Sequence, residues 1–470
     1  MTPEEFRRTG HLLIDWLADF RTTLASRPVM SALEPGQFRE RLPAAAPERG
    51  ADLAELIAGL EAELVPGLSH FQHPRFFGYF PSNAELSSVL GDLLAAGLAQ
   101  LGLNWQASPA LTELEEQMCT WMRQLLGLPD EFEGVLQDTA STSSLLALLC
   151  ARERTCGHAQ ARGGLQAEPA PLVVYVSSHS HSSVEKAALL AGFGRDNVRA
   201  IATDDDHALR VDALAEAIEL DLAAGRRPCA VVATTGTTAT TALDPIAAIA
   251  ELAETHRLWL HVDAAMAGSA MILPECRFMW AGIERADSLV LNPHKWLGAV
   301  FDCSIFYVRD ADHLIRVMST NPSYLAIAND ARAKNYRDWG IPLGRRFRAL
   351  KLWFLLHAEG AEALRARLRR DLANARWLAE QIDAAPDWQR LAPVPLQTVC
   401  VRHLRPGLSP EQLDEHTLAW VGRINASGQA FLTPALLDGR WMVRVSIGAL
   451  LTEREHVEQL WRLMQDSVAE

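Results

Sequence analysis

The strongest candidate for chemistry in this sequence is a lysine among apolar neighbours. Lys295 lies in LNPHKWLGAV (291–300), between a histidine and a tryptophan. Removal from water disfavours the charged form of a lysine, so this setting favours a neutral, nucleophilic amine. The simpler interpretation is a lysine at the rim of a core, with its stem buried and its ammonium in water. This stretch alone leaves both interpretations open.

A carboxylate occupies a comparable place earlier in the chain. Asp263 ends the apolar run RLWLHVDAA (257–265), and Lys295 follows the run DSLVLNP (287–293). Ligands of open α/β sheets bind at the carboxyl ends of the strands. An aspartate and then a lysine at two such ends suit pyridoxal phosphate, which needs an amine for its aldehyde and a carboxylate for its ring nitrogen. A helix-capping role for Asp263 is the simpler alternative, and the pairing with Lys295 disfavours it.

A phosphate group also needs an anion site, and VLQDTASTSSLLALLCARE (135–153) offers one. Thr139, Ala140 and Ser141 precede a helical pattern, where hydroxyls and free backbone N–H groups would face an anion. An ordinary Ser/Thr helix cap is the alternative, and the two are compatible. His181 follows another strand and could lie flat against a cofactor ring, although a lone histidine is more often structural. This region contains no GxGxxG or Walker motif, which disfavours NAD and ATP.

Alternating strands and helices are predicted to position these residues. Short apolar or β-branched runs at 171–178, 197–203, 228–235, 257–265 and 287–293 alternate with helical patterns. Such near-continuous apolar strands indicate a largely parallel sheet covered on both faces, hence an α/β fold.

Three parts are predicted along the chain. Residues 1–80 form a helical arm that begins at a Thr2 cap and contains a Pro- and Gly-rich stretch, which we expect to contact a neighbouring subunit. Residues 81–345 form the large α/β domain. Residues 346–470 form a small α+β domain, entered through a long arginine-rich helix from about residue 345.

Composition excludes several classes of protein. The chain has 470 residues, 49% of them hydrophobic and 22% charged. Its formal net charge of −14 argues against a nucleic-acid or anionic-membrane partner. The polar start MTPEEFRRTG does not resemble a signal peptide, and Asp92 and Gln100 interrupt the longest apolar stretch. Seven scattered cysteines without metal-ligand spacing indicate reduced thiols in the cytoplasm.

Six stretches resemble one family, the group II pyridoxal-phosphate decarboxylases, and most closely the aromatic-L-amino-acid decarboxylases of the tryptophan and DOPA type. They are HPRFFGYFPS (73–82), NWQASPALTELE (104–115), HSSVEKA (181–187), HVDAAMAGSA (261–270), NPHKWLG (292–298) and YRDWGIPLGRRFRALK (336–351). The resemblance implies the aspartate-aminotransferase fold (fold type I), with a mainly parallel seven-stranded sheet. It also implies an intertwined homodimer with shared active sites.

The resemblance assigns roles to individual residues. Lys295 would form the internal aldimine with pyridoxal 5'-phosphate, Asp263 would pair with the pyridinium nitrogen, and His181 would stack on the ring. His294 would lie near the reacting centre, and Tyr324 would belong to a loop that reaches the partner's site. The remaining cofactor contacts are Ala140, Ser141 and Asn292 at the phosphate, and Thr238 and Ala265 at the ring.

The implied reaction is decarboxylation of an aromatic L-amino acid to its amine and CO₂, through an external aldimine and a quinonoid. Tyr324 would protonate Cα, with His181 as a relay. The implied substrate pocket is apolar and lacks an arginine, which favours an aromatic over an acidic side chain. Its residues are Phe71, Tyr79, Phe80, Pro81, Ser82, Leu103 and, across the dimer, Gly344. Phe71, Phe80 and Leu103 could equally be ordinary core residues.

Other functions compete with this one. An aromatic aldehyde synthase shares fold and cofactor but lets oxygen attack the carbanionic intermediate; a phenylalanine at position 324 would favour it, and the chain has tyrosine. A decarboxylase of a non-aromatic amino acid is a second alternative, and no aminotransferase motif is evident. A catalytically silent PLP-binding protein would be expected to lack Lys295, Asp263 or Tyr324.

Overall fold

A seven-stranded sheet forms the centre of the computed structural model, which describes residues 1–320 and 333–469. Its strands are β1 (Glu133–Gln137), β2 (Leu172–Ser177), β3 (Val198–Ile201), β4 (Arg227–Thr234), β5 (Trp259–Asp263), β6 (Ser288–Leu291) and β7 (Ser304–Val308). The spatial order is β1-β7-β6-β5-β4-β2-β3. Strand β7 is antiparallel to both neighbours, and the other pairs are parallel. The predicted, mainly parallel sheet is thereby confirmed.

Helices surround this sheet and connect its strands. Those before β2 are α1 (Pro3–Thr23), α2 (Gln37–Glu40), α3 (Leu53–Glu63), α4 (Leu86–Leu98), α5 (Pro109–Leu126) and α6 (Ala140–Thr155). Those within the rest of the sheet are α7 (Ser182–Leu190), α8 (Val211–Ala223) and α9 (Ile246–His256). Those that follow it are α10 (Ala311–Met318), α11 (Ala349–Ala384), α12 (Pro410–Ala426) and α13 (Arg454–Ala469).

Both faces of the large sheet are buried, as the apolar strands predict. Successive side chains of a strand point to opposite faces. Accordingly, Val173 and Tyr175 of β2 belong to one apolar cluster, whereas Val174 and Val176 belong to another. Polar side chains inside this sheet are few and internally paired, as His261 is with Ser288, whereas those at the carboxyl ends of the strands can face a ligand.

A second, antiparallel sheet lies in the C-terminal part of the chain. It consists of β8 (Trp388–Arg390), β9 (Thr398–His403), β10 (Thr433–Leu437) and β11 (Arg440–Ser446), in the order β10-β11-β9-β8. Side chains of α12, α13 and the end of α11 complete its apolar core. The limits of the three predicted parts remain predictions, although the two sheets have separate cores.

Several local predictions can be compared with the structure. Thr2 caps α1 and accepts a hydrogen bond from the Glu5 N–H, as predicted. The long helix begins at Ala349 rather than near residue 345. Arg345 lies before it and is buried in an ion pair with Glu115, 3.0 Å from Nη1 to Oε2. Strand β7 was not predicted. In the described ranges, no helix has the length and apolarity needed to cross a bilayer.

Candidate active site

The register of the parallel strands brings the polar strand ends together. Thr234 at the end of β4 lies opposite Asp263 at the end of β5, and Asp263 lies opposite Val290 of β6. Lys295 follows four residues after the end of β6, in a π-helical turn at Pro293–Leu297. The sheet therefore positions the predicted acid at the end of β5 and the predicted amine in the turn that follows the adjacent strand β6.

Side chains of α11 hold the turn that carries Lys295. The Trp296 indole, which is fully buried, donates from Nε1 to Asp371 Oδ2 at 2.9 Å. Arg367 Nη2 donates to the carbonyl oxygens of Trp296 at 2.9 Å and Leu297 at 2.8 Å. Because these contacts come from the protein interior, the backbone that directly follows Lys295 is held in position.

The electrostatic environment of Lys295 favours a neutral amine. Burial lowers the pKa of Lys295, and the positive charge of Arg444 lowers it further, while the Asp263 carboxylate opposes both effects. Asp263 is buried, and its Oδ1 accepts a hydrogen bond from the Ala265 N–H at 3.0 Å. A lysine with a lowered pKa beside a fixed carboxylate suits nucleophilic chemistry better than a solvated rim position.

His181 begins α7 with a defined tautomer. Its Nδ1 accepts the Ser183 N–H at 3.1 Å, so in the neutral ring the proton resides on Nε2. Partial burial lowers the pKa of His181, and the Asp263 carboxylate opposes that shift. The ring is therefore neutral near pH 7, with an N–H available on the side away from α7.

The amino end of α6 is open to an anion. Thr139 is the N-cap residue of this helix, but its side chain makes no capping hydrogen bond to it. Two buried side-chain oxygens of the same cavity, Asn292 Oδ1 and Thr234 Oγ1, have no hydrogen-bond partner among the described residues. Unsatisfied buried polar groups are costly in a folded protein, which indicates that a polar ligand completes them.

One cavity of about 270 Å³ joins these groups. Its lining includes all eight residues predicted to contact a cofactor: Ala140, Ser141, His181, Thr238, Asp263, Ala265, Asn292 and Lys295. His294 also lines it; burial lowers the pKa of His294 to about 4, and its Nδ1 accepts the Cys303 N–H. A larger hollow of about 890 Å³ contains Lys334, but that lysine is paired with Glu116 and Glu133.

The predicted substrate pocket is only partly assembled within the described chain. Phe80 lines the cavity, with Lys295 Nζ 5.4 Å from its ring centroid. The other six are not part of the lining: Phe71, Tyr79, Pro81, Ser82, Leu103 and Gly344. Phe71 and Tyr79 are exposed and stack with ring centroids 6.2 Å apart. Tyr324 lies outside the described residues.

Comparisons with known proteins identify the family. The model of the pyridoxal-dependent decarboxylase conserved domain matches residues 35–403. The chain belongs to this family. Phenylacetaldehyde synthase from Arabidopsis thaliana is 38% identical over 100% of this chain and 97% of its own length. Tyrosine decarboxylase 2 from Narcissus pseudonarcissus is 37% identical over 99% of this chain and 94% of its own length. A crystal structure of Oryza sativa TDC with PLP and tryptamine has a TM-score of 0.96 at 34% identity, covering 100% of this chain and 98% of that chain.

The site of this decarboxylase-family protein fits pyridoxal phosphate. Lys295 supplies an amine for the aldehyde, and Asp263 supplies a carboxylate on the neighbouring strand. The uncapped start of α6 and the unpartnered Asn292 and Thr234 side chains supply polar groups for an anion. The chain is accordingly a PLP-dependent amino-acid decarboxylase by family.

Sequence reasoning missed an arginine beside this site. Arg444 on β11 is buried, and its Cζ lies 5.0 Å from the Phe80 ring centroid. Within the part of the chain that the structure describes, its Nη2 has no hydrogen-bond partner. The predicted side-chain pocket without an arginine stays a prediction, and Arg444 adds a cation beside Phe80 that was not foreseen. The sequence contained a signal for Arg444: it is a charged residue within a predicted strand. Met442, Arg444 and Ser446 lie on one face of β11 and are buried, and a buried charged residue is unusual. Thr234 was also missed, although it ends a predicted strand.

Proposed function

We propose that this protein decarboxylates aromatic L-amino acids to the corresponding amine and CO₂, with pyridoxal phosphate as its cofactor. The observation that carries the proposal is the single cavity in which Lys295, Asp263 and unpartnered polar groups meet. The chemistry that pyridoxal phosphate supplies when bound is a ring that accepts the electron pair left at Cα when CO₂ departs.

In this proposal, Lys295 would hold the cofactor through its aldehyde and would be released as a free amine when the substrate amino group takes its place. Its lowered pKa favours the unprotonated form that such exchange needs. Asp263 holds a proton on the ring nitrogen, which strengthens the electron demand of the ring. His181 packs on the ring and moves a proton between its Nε2 and the catalytic acid, for which Tyr324 is the candidate.

Arg444 is a candidate for binding the substrate carboxylate. Its buried guanidinium has an unpartnered Nη2, and Lys295 Nζ and Arg444 Cζ lie 5.4 Å and 5.0 Å from the centroid of the same Phe80 ring. A guanidinium is suited to carboxylates by charge and by its planar set of donors. We infer that Arg444 orients the carboxylate that leaves, rather than the side chain of the substrate.

An aromatic substrate is supported by the relatives and by Phe80. The named relatives act in tyrosine decarboxylation and phenylacetaldehyde synthesis, and the Oryza sativa structure contains tryptamine. We expect PLP-loaded protein to convert tryptophan, 5-hydroxytryptophan, DOPA, tyrosine or phenylalanine to amines, with glutamate a poor substrate. Mass spectrometry of competition reactions with equal substrate concentrations measures this order. A preference for glutamate would contradict the proposed pocket while leaving the decarboxylase chemistry intact.

Replacing Tyr324 with phenylalanine should change the product. Loss of the phenolic proton donor slows protonation at Cα but leaves CO₂ loss possible, so oxygen gains time to react. We expect aldehyde, ammonia and peroxide in place of the amine. Product analysis with a peroxide assay on both proteins tests this expectation. If the Tyr324→Phe protein forms amine as fast as the parent, Tyr324 is not the acid.

Aromatic aldehyde synthesis is the second candidate function. The chain is 38% identical to a phenylacetaldehyde synthase and 37% identical to a tyrosine decarboxylase, so sequence identity alone does not distinguish the two reactions. Tyr324 separates the two, because the aldehyde reaction requires that the proton donor be absent or misplaced. Equal amounts of peroxide and CO₂ from the unaltered protein would support this second candidate.

A homodimer is part of the proposal, and α4 supports it. The small residues Ser88, Gly91 and Ala95 are buried on one face, and an added Cβ at Gly91 would lie 2.7 Å from the Leu350 carbonyl oxygen on α11. The opposite face and the residues after it expose a row of leucines: Leu86, Leu90, Leu93, Leu94, Leu98 and Leu101. Apolar area of this extent favours association with another protein surface, and a second copy of this chain is the partner we propose.

Complementation between two defective proteins tests whether the site is shared. Tyr324 is proposed to act in the partner's site, so one site of a mixed dimer would contain both intact residues. Mixing Lys295→Ala with Tyr324→Phe under subunit exchange should restore amine formation that neither protein shows alone. Absence of restored activity, with mixed dimers demonstrated, would mean that each site is built within one chain.

The cytoplasm is the proposed location. All seven cysteines are free and buried, an arrangement compatible with a reducing compartment.

A further inference from the structure

Three side chains outside the cavity lining converge on one point. His179 lies in the loop after β2, His207 in the turn between β3 and α8, and Asp438 in the turn between β10 and β11. One ligand atom from each lies within 4.8 Å of the others. His179 Nε2 is 4.0 Å from Asp438 Oδ1, and His207 Nδ1 is 3.8 Å from Asp438 Oδ2.

These separations are too long for hydrogen bonds but suit ligands that share an ion. Nitrogen and oxygen ligands lie about 2.0–2.2 Å from Zn²⁺, which separates neighbouring ligand atoms by about 3.4 Å in a tetrahedron. Small movements of exposed Asp438 would bring its carboxylate to that distance. Imidazole and carboxylate ligands together favour zinc-class ions over Mg²⁺ or Ca²⁺.

The tautomer of His207 fits metal binding. Its Nε2 lies 3.3 Å from the Leu391 carbonyl oxygen. A carbonyl oxygen can only accept, so Nε2 is the protonated nitrogen. Nδ1 therefore has a free lone pair directed towards Asp438. Ligand histidines usually have this arrangement, in which the second ring nitrogen donates to a carbonyl or carboxylate.

The other two groups are also well prepared. His179 is largely buried, and its Nε2 is the ring nitrogen that faces Asp438. Asp438 and Gly439 have φ angles of 50° and 77°. These are the left-handed positions of a two-residue hairpin turn. That turn defines the backbone at Asp438, while the exposed side chain remains free to approach an ion with its negatively charged carboxylate.

We propose that His179, His207 and Asp438 form a binding site for a zinc-class divalent ion, with one coordination position left for water. The ion would tie the loop after β2 to the β10–β11 turn of the second sheet. Because His181 follows two residues after His179, an occupied site would also fix the loop that begins α7. The proposed role of the ion is structural, and the ion itself takes no part in the bonds that change during decarboxylation.

Calorimetric titration of the full-length, tag-free holoenzyme with Zn²⁺ tests this site. We expect one ion per chain, and binding weakened by more than about 100-fold in Asp438→Asn and His179→Gln, since even loss of a residue that only orients a ligand costs about 10–100-fold. Asp438→Asn should fold normally, because Asn-Gly is a favoured sequence for this turn. Co²⁺ absorption provides a second readout of nitrogen and oxygen ligation.

His256→Ala is the matched control. His256 Nε2 lies 3.9 Å from Glu219 Oε1, a distance similar to those in the proposed site. Among the described residues, no third metal-binding side chain completes this pair to a site. Its removal should leave Zn²⁺ affinity unchanged. The proposal is overturned if the unaltered protein binds no Zn²⁺ at micromolar concentrations. The proposal is also overturned if Asp438→Asn and His179→Gln bind Zn²⁺ as tightly as the unaltered protein. It is likewise overturned if His256→Ala loses as much Zn²⁺ affinity as those two variants.

Discussion

The Lys295→Ala protein is expected to form no amine from any amino acid and to carry no covalently bound cofactor. Lys295 is the lysine of the cavity lining, so the described lining has no second amine to take its place. Borohydride reduction followed by peptide mass spectrometry measures the attachment. In the unaltered protein, the reduced cofactor should be found on the peptide that contains Lys295.

Two controls separate chemistry from folding in this experiment. Lys186→Ala removes an exposed lysine of α7 and should retain both the adduct and full turnover. Noncovalent binding of pyridoxal phosphate to Lys295→Ala, with an unchanged melting temperature, would show that the cavity is intact. A borohydride-stable adduct at the parental level in Lys295→Ala would refute the assignment.

Replacing Asp263 with alanine is expected to lower turnover by about 10²–10³-fold, the loss typical of one preorganised electrostatic group in a low-dielectric site. Asp263 is buried on the strand next to the lysine, and its charge raises the pKa values of both Lys295 and His181. Removing that anion disfavours the cationic forms, so both pKa values should fall. Steady-state kinetics across pH measures the loss of rate and the shift of the profile towards acid.

Cofactor occupancy is the necessary control for Asp263→Ala. The comparison is made at saturating pyridoxal phosphate, with bound cofactor quantified by its absorbance after release. Asp263→Asn keeps the size of the side chain and should be nearly as slow, because it too lacks the negative charge. Near-parental turnover of either protein at full occupancy would contradict the proposed role of the carboxylate.

Much of the large sheet could be predicted from strand composition. The five apolar runs from residue 171 to 293 correspond to β2–β6, because strands buried on both faces need apolar residues at nearly every position. Strand β7 (Ser304–Val308) was not predicted, although SIFYV is equally apolar. Its antiparallel pairing with β1 and β6 depends on contacts distant in sequence, which local patterns do not encode.

The cofactor side of the cavity was easier to predict than the substrate side. Asp263, Asn292 and Lys295 lie at or just after strand ends, where the topology itself directs side chains towards a ligand. Arg444 reaches the same region from the second sheet, so its proximity depends on how two separate cores pack together. Phe71 and Tyr79 are exposed at the surface of the chain and do not line the cavity, so the structure of one chain does not test their predicted role in the substrate pocket.

The reaction of the unaltered protein with L-tryptophan in D₂O tests the central claim most directly. The measured quantities are CO₂, amine, peroxide and the deuterium content of the amine. Decarboxylation with protonation at Cα predicts one amine per CO₂, one solvent deuterium at that carbon, and little peroxide. Peroxide and aldehyde in amounts equal to CO₂ would contradict the account, as would the absence of CO₂ from tryptophan and every other aromatic amino acid at full cofactor occupancy.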